Sequence, residues 1–189
     1  MPDIHDAHIL IIAANGFEQS ELTKPRDLLR QAGAKVEVAS PDGRPIRGWK
    51  HTDWGDTVEA DLKIAEADSS KYDALVIPGG QINPDLLRVN PDAMKVVRAF
   101  LDNGDKTVAA VCHAPWVLIE ADAVRGREVT SYKSIKKDVI NAGGKWVDRE
   151  CVVSDGIVTA RNPGDLDAFT KGIIQEIEKG GHKRASMAA

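Results

Sequence analysis

The sequence predicts a doubly wound α/β/α sandwich with a mostly parallel central sheet. Three observations carry that expectation. A continuous aliphatic run at residues 9–14 suits a strand buried on both faces of a sheet, and residues 72–77 and 107–111 read as further core strands. Amphipathic stretches stand between them. The first forty or so residues already read β-α-β, the unit that builds a parallel sheet with crossover helices.

Taken in order, the run at 9–14 is broken by Asn15-Gly16. Leu22, Leu28 and Leu29 then recur among Glu21, Lys24, Arg26, Asp27 and Arg30, and Gly33 stands where a helix C-cap is expected. Residues 35–40 form the next strand. Residues 48–62 carry Trp49, His51 and Trp54 with alternation near Thr57 and Val58, and read as a small β-hairpin excursion off the main sheet. The strand at 72–77 ends in Pro78-Gly79-Gly80. A helix is expected over 91–103, with Met94, Val97 and Leu101 at helical spacing and Gly104 as its stop. The strand at 107–111 leads directly into Cys112 and a helical run over 113–121. A short strand at 128–132 and a helix at 135–142 follow. Residues 152–160 read as a hairpin with Asp155-Gly156 at the turn. The last helix covers 166–179. The expected organisation is an N-terminal extension (1–8), a single domain (9–179) and a disordered tail (180–189).

Composition bounds the function. The chain has 189 residues, 42% hydrophobic and 29% charged, enough for one domain with a proper core. A net charge of -4 and the lack of a basic stripe argue against nucleic-acid binding. No apolar run approaches the ~20 residues of a membrane span, and the N-terminus lacks a secretory pattern. A cytoplasmic setting with free thiols at Cys112 and Cys151 is therefore expected. Cys151, just before a hairpin, reads as structural. His5 and His8 are too sparse and too terminal for a metal site, and no cofactor is called for.

Ligands of open parallel sheets bind at the carboxyl ends of the strands, and chemistry-bearing residues gather there. Cys112 sits on a strand-to-helix turn flanked by the small residues Ala110 and Ala114. That is a looser form of the G-x-S-x-G nucleophile elbow. A cysteine at a helix N-terminus is expected to have a lowered pKa. Gly79 and Gly80 let backbone N–H groups approach a ligand, so the N–H groups of Gly80 and His113 could form an oxyanion hole. Glu18, beyond apolar Phe17, could stay protonated near a thiolate and donate a hydrogen bond to it. A helix N-terminal glutamate favoured by the dipole is the alternative from chemistry alone.

Phe17-Glu18-x-x-Glu21-Leu22, Leu75-Val76-Ile77-Pro78-Gly79-Gly80 and Val111-Cys112-His113-Ala114-Pro115 together resemble the PfpI branch of the ThiJ/PfpI superfamily. Asp138-x-x-x-Asn141-Ala142-Gly143 and Thr159-Ala160-Arg161-Asn162-Pro163 extend the resemblance over nearly the whole chain. The resemblance implies a flavodoxin-like fold, Cys112 as nucleophile, His113 as its adjacent histidine and Glu18 as the buried glutamate on the thiol. It further implies that Asp85, in Pro84-Asp85-Leu86-Leu87-Arg88, orients the histidine of a neighbouring subunit. A homodimer or larger ring follows, with Trp49, His51 and Trp54 at a subunit contact. Ala114 and Trp116 depart from the family pattern and narrow the pocket. Three activities share this thiol: a glyoxalase or deglycase acting on small reactive carbonyls or glycated substrates, a cysteine peptidase, and a peroxide-responsive stress protein. The first is favoured, because adjacency makes an intrachain Cys112–His113 hydrogen bond awkward and a reactive carbonyl demands less of the triad than an amide.

Overall fold

The computed structural model describes residues 3–182. Its first half runs β1 (His8–Ile12), β2 (Phe17–Glu18), α1 (Gln19–Gln31), β3 (Lys35–Ser40), β4 (Ile46–Lys50), β5 (Asp53–Val58), β6 (Leu62–Lys63) and β7 (Ala74–Ile77). The second half continues with α2 (Ile82–Arg88), α3 (Pro91–Asp102), β8 (Thr107–Val111), α4 (Pro115–Glu120), β9 (Glu128–Val129) and α5 (Lys136–Asn141). It closes with β10 (Lys145–Trp146), β11 (Cys151–Ser154), β12 (Ile157–Ala160) and α6 (Leu166–Lys179).

The central sheet has the order β11-β12-β8-β7-β1-β3-β6. Every pairing in it is parallel except β11 with β12, the expected hairpin. Side chains alternate between its faces with period two. Leu10 and Ile12 pack with Leu75, Val108, Phe100 and Leu118 on one side. Ile9 and Ile11 pack with Val76, Ala109, Leu22 and Phe169 on the other. The central strands β1, β7 and β8 are almost wholly aliphatic because both faces are covered. This is the doubly wound, flavodoxin-like α/β/α architecture.

The 48–62 excursion is a three-stranded sheet, β2-β4-β5, in which Trp49 meets Trp54 edge to face at 5.4 Å. At the N-terminus, Ile4 and Ala7 are buried in the core, so residues 3–8 are built into the domain. At the other end, Gly180–His182 departs from the expected disorder. The His182 N–H donates to the Gly104 carbonyl at 2.6 Å and its ring is buried beside Glu176. The rest of the expected tail, residues 183–189, lies outside the described residues.

Helix α2 has no counterpart in the sequence reading. Asn83-Pro84 looks like a turn, yet proline is tolerated in the first turn of a helix, where its missing N–H has no partner to lose. Asn83 makes α2 part of the site's frame. Its Oδ1 accepts from the Ala14 N–H at 2.7 Å and its Nδ2 donates to the Pro78 carbonyl at 2.7 Å. One buried amide thereby ties the chain leaving β1 to the chain leaving β7.

Candidate active site

The carboxyl ends of β1, β7 and β8 converge on Cys112. Directly after β8 the chain must turn sharply, and Cys112 takes φ 64, a left-handed conformation that costs a non-glycine residue roughly 1–2 kcal/mol. Backbone hydrogen bonds hold it there. The Cys112 N–H donates to the Ala160 carbonyl at 3.0 Å, and the Cys112 carbonyl accepts from the Tyr132 N–H at 2.8 Å. Ala110 and Ala114 are fully buried on either side. The elbow read from sequence is therefore present, with Cys112 6% exposed at the floor of a pocket of about 360 Å³.

Gly79 and Gly80 do come to the thiol. The backbone N–H groups of Gly80 and His113 both donate to the Cys112 sulfur, the pair expected as an oxyanion hole. Gly80 has φ 78, and a Cβ there would lie 2.7 Å from both the Glu18 N and the Gly16 O. Only glycine brings this N–H so close.

The carboxyl on the thiol belongs to Glu21, not Glu18. The reason is strand geometry. Phe17 and Glu18 form β2, so alternation buries Phe17 and turns Glu18 toward the pocket rim, where its Oε1 accepts from Ser20 Oγ at 3.3 Å. Glu21 lies in the first turn of α1, on the inward face shared with Leu22, Pro25 and Leu29. It is fully buried. Its Oε2 accepts from the Gly79 N–H at 2.9 Å, and the carboxyl lies beside the Cys112 thiol with Oε1 buried and without a hydrogen-bond partner among the described residues. Helical periodicity was the available signal: Glu21 falls in step with the apolar residues of its helix, and Glu18 precedes the helix.

Burial sets the electrostatics. It pushes Glu21 up to about 8 from the ordinary 4.5, and the nearby Glu18 adds to the rise. Burial and the Glu21 charge raise the Cys112 thiol as well, so the lowered pKa expected from a helix N-terminus is corrected. Residues 113 and 114 separate the sulfur from the first residue of α4, and desolvation outweighs the dipole. Two buried acids this close do not both ionise, so the pair retains at least one proton through the neutral range.

His113 is also closer than adjacency suggested. The positive φ of Cys112 swings the next side chain back, and His113 Nδ1 lies 3.1 Å from the sulfur. Its Nε2 is 3.0 Å from Ser134 Oγ. The ring stacks on Tyr132 at 4.9 Å and meets the edge of Trp116 at 5.3 Å. Burial lowers its pKa, so the imidazole is neutral. Asp85 does not join this group within the chain. It is exposed on α2 and paired with Arg88 of its own helix at 2.5 Å, and among the described residues it makes no hydrogen bond to His113. Trp49 and His51 of the excursion line the pocket with Glu18 and Ile82. Sequence reasoning missed Glu21, Tyr132 and Ser134 as site residues. The Tyr132 and Ser134 positions lie around a loop with no motif of its own. Cys151 is half-buried away from the pocket, and burial pushes its thiol up to about 11.

A cysteine on a strained strand-to-helix elbow, faced by a buried carboxyl at the carboxyl edge of a flavodoxin-like sheet, defines a nucleophile-elbow cysteine protein. The sequence model of the DJ-1/PfpI family matches residues 7–176. The chain belongs to that family. It is 42% identical over 164 residues to the putative cysteine protease YraA of Bacillus subtilis, covering 86% of this chain and 94% of the relative. It is 41% identical over 167 residues to the deglycase PfpI of Pyrococcus furiosus, covering 88% and 97%. Among solved structures it superposes with TM-score 0.85 and 36% identity on a two-domain protein of Anabaena variabilis containing DJ-1/ThiJ/PfpI-like and ferritin-like domains, covering 92% of this chain and 48% of that one. With Drosophila melanogaster DJ-1beta the TM-score is 0.81 at 28% identity, covering 92% and 95%.

Proposed function

We propose that the protein is a cytoplasmic, cysteine-dependent enzyme acting on small reactive carbonyls, of the glyoxalase or deglycase type. The observation that carries this reading is the buried Cys112–Glu21 pair with His113 Nδ1 3.1 Å from the sulfur. The relatives named deglycases support it. Among the described residues no helix is long and apolar enough to cross a membrane.

With methylglyoxal, the Cys112 thiolate attacks the aldehyde carbon, and a C–S bond forms as the carbonyl π pair moves to oxygen. The N–H groups of Gly80 and His113 stand beside that oxygen, and Glu21 gives it a proton, leaving a hemithioacetal. His113 Nδ1 removes the C1 hydrogen as a proton and returns it to C2, while the hydroxyl proton passes from the first oxygen to the second. A lactoyl thioester results. Water then splits it, its hydroxide going to the acyl carbon and its proton to Glu21. The thiolate is expelled and so restored, and lactic acid leaves, giving its carboxyl proton to solvent as lactate.

A peptidase is the second reading. The Sγ–Nδ1 distance of 3.1 Å favours it, as does the relative named a putative cysteine protease. Lactate released from methylglyoxal by the wild type but not by Cys112→Ser is the result the carbonyl reading expects. No lactate from either protein rejects it, and cleavage of casein by the wild type would then put the peptidase first.

A further inference from the structure

We propose that the cavity sharing Tyr132 with the elbow pocket is a second subsite, one that receives the free carboxylate of a small amine or thiol to which the reactive carbonyl has added. The inference rests on the carbonyl reading above. It narrows that reading to adducts of small carboxylic acids, free amino acids among them, over adducts in the interior of a protein chain.

Two cavities meet at Tyr132. The elbow pocket holds about 360 Å³ and its neighbour about 380 Å³, and Tyr132 lines both. The same two loops border them. Tyr132 is followed by Lys133 in the second cavity, and Pro163 of the first is preceded by Arg161 and Asn162 of the second. The shared wall stands close to the thiol. The Tyr132 N–H donates to the Cys112 carbonyl at 2.8 Å, and the Tyr132 ring stacks on His113. A ligand whose reacting carbon lies at the sulfur therefore has adjoining space for the rest of its skeleton.

The two cavities differ in charge. None of the described residues lining the elbow pocket is a lysine or arginine, and Glu18 stands at its rim. A free carboxylate is repelled there. The second cavity carries Lys133 and Arg161 beside Asp148. Arg161 is already committed: its Nη1 donates to Asp148 at 2.7 Å and its Nε to Asp165 at 2.8 Å, so its charge is offset. Lys133 is exposed and makes no ion pair among the described residues. Trp146 supplies an apolar wall. Its indole N–H donates to Ser131 Oγ at 2.9 Å, and Lys136 Nζ lies over the ring, 4.7 Å from its centre. A carboxylate entering this cavity meets one unpaired ammonium with a second cation nearby, and its carbon stem meets an indole. One unpaired lysine beside Asp148 suits a singly charged anion better than a phosphate. A residue inside a protein chain has no such carboxylate to present.

The test uses the full chain and two inert probes, the thioether N-acetyl-S-(hydroxypropyl)cysteine and its carboxamide. They share the skeleton of a carbonyl adduct and differ only in the carboxylate. Binding is followed on the indole 15N–H signals, that of Trp146 being assigned from Trp146→Phe. At low salt the acid is expected to bind about two- to fivefold more tightly than the amide, the range of an exposed ion pair, and to shift the Trp146 signal. Lys133→Glu should abolish or reverse that preference, and Lys133→Arg should keep it. In turnover, KM for the hemithioacetal of methylglyoxal with N-acetylcysteine should be lower than for the corresponding amide by a similar factor, and Lys133→Glu should reverse the order. Equal affinity for acid and amide, a preference that survives Lys133→Glu, or binding that leaves the Trp146 signal unmoved overturns the proposal. The binding readout needs no turnover. Preference for the acid without lactate from methylglyoxal would remove the carbonyl reading and leave the carboxylate subsite standing, whereas lactate release with equal affinities would do the reverse.

Discussion

Glu21→Gln is expected to slow lactate formation by about two to three orders of magnitude, the usual range for loss of a positioned acid–base group. The amide keeps the volume and can still accept from the Gly79 N–H, 2.9 Å from the carboxyl oxygen it replaces. It cannot hand over a proton and take one back. The same substitution has a signature in stability. Glu21 titrates near 4.5 when unfolded and is pushed up to about 8 when folded. Between those values the folded chain keeps a proton that the unfolded chain has released, so folding takes up a proton there. Wild-type stability therefore falls as pH rises from about 4.5 to about 8. The glutamine variant lacks this dependence. Denaturant titrations at pH 5 and pH 8 should show the difference in stability moving in favour of Glu21→Gln by a few kcal/mol, at about 1.4 kcal/mol per pH unit. A difference independent of pH would mean that Glu21 is already ionised in the folded protein.

Gly79→Ala is expected to damage stability and activity together. A Cβ there would lie 2.5 Å from Glu21 Oε2, 2.6 Å from the Val111 carbonyl oxygen and 2.7 Å from Cys112 Cβ. The carbonyl belongs to a buried central strand and cannot move aside, and Cys112 is held by its own backbone bonds. Overpacking of this kind costs about 3 kcal/mol. For a chain of this length that corresponds to a drop in Tm of about 6–12 °C. The displaced groups are the thiol and its acid, so activity should fall with stability. Gly126→Ala is the contrast: φ is 75, but nothing lies within 4 Å of the added carbon, so only the backbone strain of about 1 kcal/mol applies. Thermal melts of the two variants check this, and equal losses would contradict the packing account.

The sheet was legible in the sequence because its signal is local. Residues 9–14, 74–77 and 108–111 are aliphatic on both faces, and glycines or short polar turns punctuate the helices between. Cys112 was legible too, since small neighbours and an abrupt strand end mark an elbow. What could not be read depended on orientation. Glu18 and Glu21 lie within four residues of each other, and choosing between them requires knowing that the strand-like phase ends at Glu18 and the helical phase begins at Gln19. The reach of His113 to the sulfur follows from the positive φ of Cys112, a dihedral that composition does not announce. Ser134 meets the histidine only because the chain after β9 folds back over the elbow, a tertiary pairing of residues 21 positions apart. Helix α2 was hidden by Asn83-Pro84, whose turn-like pattern instead serves a first helical turn and a buried amide bridge.

The pocket, rather than exposure, is expected to make Cys112 the reactive thiol. Brief labelling with iodoacetamide near pH 6 to 7, read by peptide mass spectrometry, puts this directly. Cys112 is buried and Cys151 is half-buried, so access alone would favour Cys151. Burial raises both thiols, but only Cys112 has backbone N–H groups at its sulfur to receive the charge and an imidazole nitrogen, 3.1 Å away, to receive the proton. Preferential alkylation of Cys112, lost in Cys112→Ser, is the predicted result. Equal labelling, or labelling of Cys151 first, would contradict a nucleophile at the elbow.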